Sequence, residues 1–110
     1  MELQVKSADR NLLLEMKGEL DHHGARNALR ELELSIDAAL PKKLVLDLAG
    51  VTFMDSSGIG VLAGRYRKIS CFGGKVYVIH ANRRIRKILE MSGIGDIVEM
   101  IDQEEKIEKQ

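Results

Sequence analysis

The run Leu44-Val45-Leu46-Asp47-Leu48 limits the architecture more than any other stretch of this chain. It is almost continuously apolar and only five residues long, the pattern of an inner strand covered on both faces. Such a strand needs neighbours on its edges and a layer packed against it, and the flanking sequence supplies both. Upstream, Ala25, Ala28, Leu29, Leu32, Ile36 and Leu40 recur with the helical period, after Asp21 as a cap and before Pro41 as a stop. Downstream, a helix beginning near Ser56 or Ser57 places Ile59, Leu62, Tyr66 and Ile69 on one face and ends at Gly73-Gly74. Val76-Tyr77-Val78-Ile79 reads as the next strand. Asn82 then caps a helix carrying Ile85, Ile88 and Leu89, with Gly93 just past its end. Residues 97–101 suit a short edge strand, and Asp102 with Glu105 resembles the capping box of a charged C-terminal helix. At the other end, Leu3 and Val5 alternate with polar residues, Ala8-Asp9-Arg10-Asn11 is turn-like, and Leu12, Leu14 and Met16 alternate again. That is a hairpin.

The resulting order is ββαβαβαβα. Strands separated by helices of this length are most simply parallel neighbours joined by right-handed crossovers, while the opening hairpin adds an antiparallel pair. The expected fold class is α/β: a mixed sheet with helices packed on it, in one domain spanning residues 1–110, since 110 residues suit a single core. In such sheets functional loops lie at the carboxyl ends of the parallel strands. That rule brings Glu19-Leu20-Asp21-His22-His23, Phe53-Met54-Asp55-Ser56-Ser57-Gly58 and Ala81-Asn82-Arg83 to one edge.

Composition removes several kinds of function. Lys+Arg and Asp+Glu are both 17, so the formal net charge is zero. Nothing attracts a polyphosphate from a distance, so neither nucleic acid nor a membrane surface is expected as a partner. Aromatic residues are 4% with no Trp, which leaves little on which bases could stack. The one cysteine, Cys71, cannot form an internal disulfide and is expected to pack beside a helix end. No run approaches a membrane span and the N-terminus has no apolar stretch of secretory type, so a cytoplasmic protein is expected. His22 and His23 are adjacent, about 100° apart around a helix, and do not chelate one ion simply. No metal is expected, and no cofactor. The basic run Arg83, Arg84, Arg86 and Lys87 reads as a solvated helix face.

The densest chemical signal is Asp55-Ser56-Ser57-Gly58-Ile59-Gly60, two hydroxyls and a carboxylate where a strand hands over to a helix. Gly58, Gly60 and Gly64 fall in the first turns, where each costs about 1 kcal/mol relative to Ala. Either the glycines allow tight packing on the sheet, or something outside approaches this backbone closely. A helix start offers free N–H groups and tolerates phosphate. If Ser57 caps the helix, Ser56 is left free for chemistry. The stretch from Gly58 to Ala63 also fits a relaxed dinucleotide-binding pattern, so a small nucleotide- or dinucleotide-binding domain using the Gly58–Gly60 loop is the alternative reading. The acidic residue expected about 20 positions on is missing, however. No G-x-S-x-G elbow surrounds Ser57, and no enzyme is expected.

The blocks Gly18-Glu19-Leu20-Asp21-His22-His23, Phe53 through Leu62, Gly64-Arg65-Tyr66 and Met91-Ser92-Gly93 resemble STAS domains, and within them the anti-sigma factor antagonists of sporulation. The resemblance runs from Leu3 to about Ile101. It implies a protein-binding regulator: unphosphorylated, it binds an anti-sigma factor that is also a serine kinase of ATPase-like fold, and so releases the sporulation sigma factor. It implies phosphorylation on the serine directly after the Asp, Ser56 here, and reactivation by a PP2C-type serine phosphatase. The partner-binding surface it implies comprises Asp21, Met54, Asp55, Ser57, Gly58, Ile59 and Gly60.

Overall fold

Asp9-Arg10 closes a two-residue hairpin between β1 (Glu2–Ala8) and β2 (Asn11–Leu20), with Ala8 opposite Asn11 and Asp9 at a φ of 56°. Aspartate tolerates that left-handed conformation better than most side chains. The computed structural model describes residues 2–71, 73–94 and 98–101. After the hairpin follow α1 (His22–Ala39), β3 (Lys43–Met54), α2 (Ser56–Ser70), β4 (Lys75–Ile79), α3 (Arg83–Met91) and β5 (Glu99–Ile101). The five strands lie in the order β1-β2-β3-β4-β5, the first pair antiparallel and the others parallel. The capping box at Asp102 and Glu105 falls outside the described residues.

Each parallel connection steps one place along the sheet, and crossovers of one hand then put every helix on the same face. That face holds the core. Leu12, Leu14, Met16, Leu44, Leu46 and Val76 from the strands meet Leu32 and Ile36 of α1, Leu62 and Ile69 of α2, and Ile85 and Leu89 of α3. A smaller cluster of Val45, Tyr77 and Ile79 occupies the opposite face, with Leu13 and Ile101 against it. The run 44–48 is therefore apolar on both sides, as its composition requires. Burial raises the Tyr77 phenol above its ordinary range, with the nearby Glu99 charge adding to the shift.

Two expectations change here. Leu40 does not continue the α1 stripe. It caps the helix in the left-handed region at φ 44°, donates its N–H to Ile36 O, and is 55% exposed. The Pro41 that follows disfavours right-handed helical geometry at the preceding residue, so the apolar period breaks one residue early. Cys71 is exposed at the α2 C-terminus, not packed, because α2 turns its buried face away at Ile69.

The strand β3 also runs well beyond the apolar run, to Met54. Its register with β2 slips twice, between Glu15 and Lys17 and between Gly18 and Glu19, so β3 carries two extra residues relative to its partner. Such bulges reset which face a side chain meets. Leu44, Leu46 and Leu48 point to the helices, and after the slips Val51 and Met54 do so again. β4 pairs with β3 only as far as Asp47 opposite Ile79, so β2 and β3 continue together as a two-stranded arm. Asn82 stands beside that arm: its Oδ1 caps α3 at Ile85 N, 2.9 Å, and its amide donates to Val51 O, 3.3 Å.

Candidate functional site

At the tip of the arm Leu20 pairs with Met54, so the next residue of each strand, Asp21 and Asp55, begins a helix at the same place. Both aspartates have extended backbone and turn their carboxylates onto the helix start. Asp21 Oδ1 accepts from Gly24 N at 2.8 Å, and Asp55 Oδ1 accepts from Ser57 N at 2.9 Å and Gly58 N at 3.4 Å. The Gly24 N–H, with the His23 N–H and ring adding, holds the Asp21 carboxyl below the usual aspartate range.

The capping role expected of Ser57 therefore belongs to Asp55. One residue separates the last paired position of β3 from the first turn of α2, and only that residue has the extended backbone a cap requires. Both serine hydroxyls are released from capping. Ser56, the first helical residue, is exposed; Ser57 is half-buried on the side facing α1.

The glycines separate into two kinds. A Cβ on Gly58 would stand 2.7 Å from both Leu20 O and Met54 Cγ, and one on Gly24 would stand 2.2 Å from Glu19 O. These two glycines are required by the fold, because each helix starts hard against the end of β2. A Cβ on Gly60 or Gly64 would meet nothing within 4 Å. Among the described residues nothing explains their lack of a side chain.

Met54 is 3% exposed, with its side chain under Gly58, so the structure removes it from the expected partner surface. The strand places every residue that alternates toward α2 in the core, and Met54 is the last of them. Gly58 is likewise buried, with its N–H engaged by Asp55 and its Cα direction blocked. Of the two glycines in the alternative reading, Gly58 is thus closed to a ligand and Gly60 is open. Asp55, Ser57 and Ile59 are half-buried, and Ser56 and Gly60 exposed, around one helix start; Asp21 joins them from α1. The third segment, 81–83, is set back along the arm, because β4 ends level with Asp47.

Between the first turns of α1 and α2 lies an open, mostly apolar groove of about 410 Å³, bounded by Ala25, Arg26 and His22 on one side and Ser57, Gly60 and Val61 on the other. Arg65, 7% exposed, reaches into its lining. Its Nη2 pairs with Glu33 Oε1 at 2.7 Å; Lys68 pairs with the same Glu33 and with Asp37 at 2.6 Å, and both carboxylates raise the Lys68 pKa. Sequence reasoning missed Gly24 and the burial of Arg65. The repeated spacing Asp21-x-x-Gly24 and Asp55-x-x-Gly58 would have exposed the first; no local signal marks the second.

A STAS domain model matches residues 2–107. The chain is a STAS domain. Among its relatives, the anti-sigma F factor antagonist of Paenibacillus polymyxa is 35% identical over 106 residues, covering 94% of this chain and 91% of that one. Two solved structures, each 25% identical, share the fold of this STAS domain. The anti-sigma factor antagonist SpoIIAA in its unphosphorylated form gives a TM-score of 0.82 over 98% of this chain and 95% of that one. The Bacillus cell fate determinant SpoIIAA in its phosphorylated form gives 0.74 over 98% of both. No described helix of this STAS domain is long and apolar enough to cross a membrane.

Proposed function

We propose that this STAS domain is an anti-sigma factor antagonist switched off by phosphorylation of Ser56. The observation that carries the reading is the pairing of an exposed hydroxyl at the first residue of α2 with an exposed Gly60 one turn on, whose missing side chain no contact among the described residues requires. A surface made of bare backbone beside a free hydroxyl suits a kinase that must approach closely. The 35%-identical relative named an anti-sigma F factor antagonist, and the structures of SpoIIAA with and without phosphate, support the same assignment.

On this reading the unphosphorylated protein binds, in the cytoplasm, an anti-sigma factor that is also a serine kinase of ATPase-like fold, and so frees a sporulation sigma factor. A PP2C-type phosphatase restores it. The contact surface comprises Asp21, Asp55, Ser57, Ile59 and Gly60, with Gly58 shaping the backbone beneath. Phosphate at Ser56 adds about −1.5 to −2 charge next to Asp55. At the helix start it gains about 0.3–1 kcal/mol from the exposed N–H groups, while Asp55 repels it, so the fold is little affected. At the interface no such offset exists, and a loss of about 3 kcal/mol there weakens binding roughly a hundredfold. The test is incubation with the cognate anti-sigma factor and ATP, followed by mapping of the modified residue. Phosphate on Ser56, and none on the Ser56→Ala variant, is expected; phosphate on Ser57 or no transfer overturns the reading.

A further inference from the structure

The α1–α2 groove contains a feature that the fold does not account for. Arg65 is buried, and of its three nitrogens only Nη2 has a partner, Glu33; Nε and Nη1 are shielded from solvent with no acceptor among the described residues. Buried donors are normally satisfied, and one left without an acceptor is costly. A guanidinium presents its donors as a rigid planar fork matched to a carboxylate, so the half-used fork is a site for a second one. The surroundings agree in sign. Arg26 and His22 stand on the groove rim, no carboxylate among the described residues lines it, and Glu33 is already shared between Arg65 and Lys68. Ala25, Gly60 and Val61 provide an apolar wall for a methylene stem.

We propose that this groove receives an acidic side chain of the anti-sigma factor, its stem laid over Gly60 and Val61 and its carboxylate accepting from Arg65 Nη1, the unused nitrogen beside Nη2 at the end of the guanidinium. Arg65 pivots on its Glu33 pair to meet it. The proposal rests on the antagonist reading above and adds the chemistry of one partner group. It also gives Gly60 a definite reason: a Cβ there would stand in the entrance to the groove.

The experiment is a titration of the cognate anti-sigma factor, with ADP bound, against wild-type protein and Arg65→Lys, with a thermal melt of each. Lysine keeps the charge opposite Glu33 but loses the fork. A tenfold or greater loss of affinity with a near-unchanged melt is expected, and equal affinity overturns the proposal. A second arm leaves this chain intact: each exposed Asp and Glu of the partner is changed to its amide and titrated against wild type. One such change should cost about tenfold and lose its effect against Arg65→Lys. If none does, the proposal fails even where Arg65→Lys folds poorly. Failure of the wild-type pair to bind at all refutes the antagonist reading instead, so the two failures are distinguishable.

Discussion

The starts of α1 and α2 are the same device built twice. In each, a strand ends at a buried Leu20 or Met54, one aspartate turns the chain, and its carboxylate caps the helix; three residues on, a glycine presses against the end of β2. Asp21-x-x-Gly24 and Asp55-x-x-Gly58 are thus architecture. What differs is what fills the spaces: His22-His23 and Arg26 at the first, Ser56-Ser57 and Gly60 at the second. The shared residues carry the fold, and the unshared ones carry the specific chemistry. A motif read as one functional block at 55–60 divides into a frame and a payload once its counterpart at 21–26 is laid beside it.

The frame is where substitution should do most damage. Gly24→Ala places a methyl 2.2 Å from a backbone carbonyl, and Gly58→Ala places one 2.7 Å from a carbonyl and from Met54 Cγ. Backbone at the ends of paired strands cannot yield cheaply. The gain in helix propensity, about 1 kcal/mol, does not offset overpacking of about 3 kcal/mol or more. Both variants should melt roughly 10 °C or more below wild type, Gly24→Ala the lower. A wild-type melting temperature for either would break the equivalence of the two starts.

Gly60→Ala tests the other half of the comparison, with effects of opposite sign. Its Cβ enters open space, so the domain should gain up to about 1 kcal/mol. Binding to the anti-sigma factor should fall, by roughly tenfold or more, because the methyl stands where the partner approaches. A variant that is both more stable and fully competent to bind would show that neither the fold nor the partner needs a bare backbone at Gly60.

Much of the frame was legible in sequence. Asp21 and Asn82 cap where the helical period begins, and Pro41 ends α1 as its chemistry dictates. The extension of β3 to Met54 was not, because two bulges break the alternation that identifies a strand, and a bulge is decided by the neighbouring strand. Arg65 reads locally as a surface residue of an amphipathic helix; its burial depends on Glu33, thirty-two positions away on another helix. Serine and aspartate cap about equally well, so the sequence offers Ser57 as a cap only conditionally, and the register at Leu20 and Met54 decides for Asp55. Within the site, the proposal of Ser56 as phosphate acceptor rests on resemblance and on its place outside the cap, and the half-used arginine on geometry.

The cap assignment can be checked directly and is worth less than the glycines. Asp55→Ala removes the acceptor for Ser57 N and Gly58 N and should cost about 0.5–2 kcal/mol. Ser57→Ala removes a half-buried hydroxyl that caps nothing, and should stay within about 0.5 kcal/mol of wild type. Urea melts of the pair would settle the order, and a larger loss at Ser57 would return the cap to it.

The smallest effect distinguishes a charged cap from a neutral one. At Asp21 an asparagine still accepts from Gly24 N, so Asp21→Asn should fold and be capped. What it loses is the ionised carboxylate, whose pKa in the folded protein lies below the ordinary aspartate value because the Gly24 N–H favours the charged form. The sign follows from linkage. Above about pH 5 the carboxylate is ionised in both folded and unfolded chains, and its stabilisation is fully present. As pH falls through the ordinary aspartate range, the unfolded chain takes up its proton first, and the stabilisation is lost as the folded pKa is passed. Asparagine has no proton to gain. Wild type should therefore be the more stable protein at neutral pH and lose that advantage toward pH 3, while binding to the anti-sigma factor at neutral pH weakens in the variant if Asp21 faces a partner cation. A gap between the two melts that does not change with pH would mean that Asp21 caps as a dipole only, leaving its charge free for the partner.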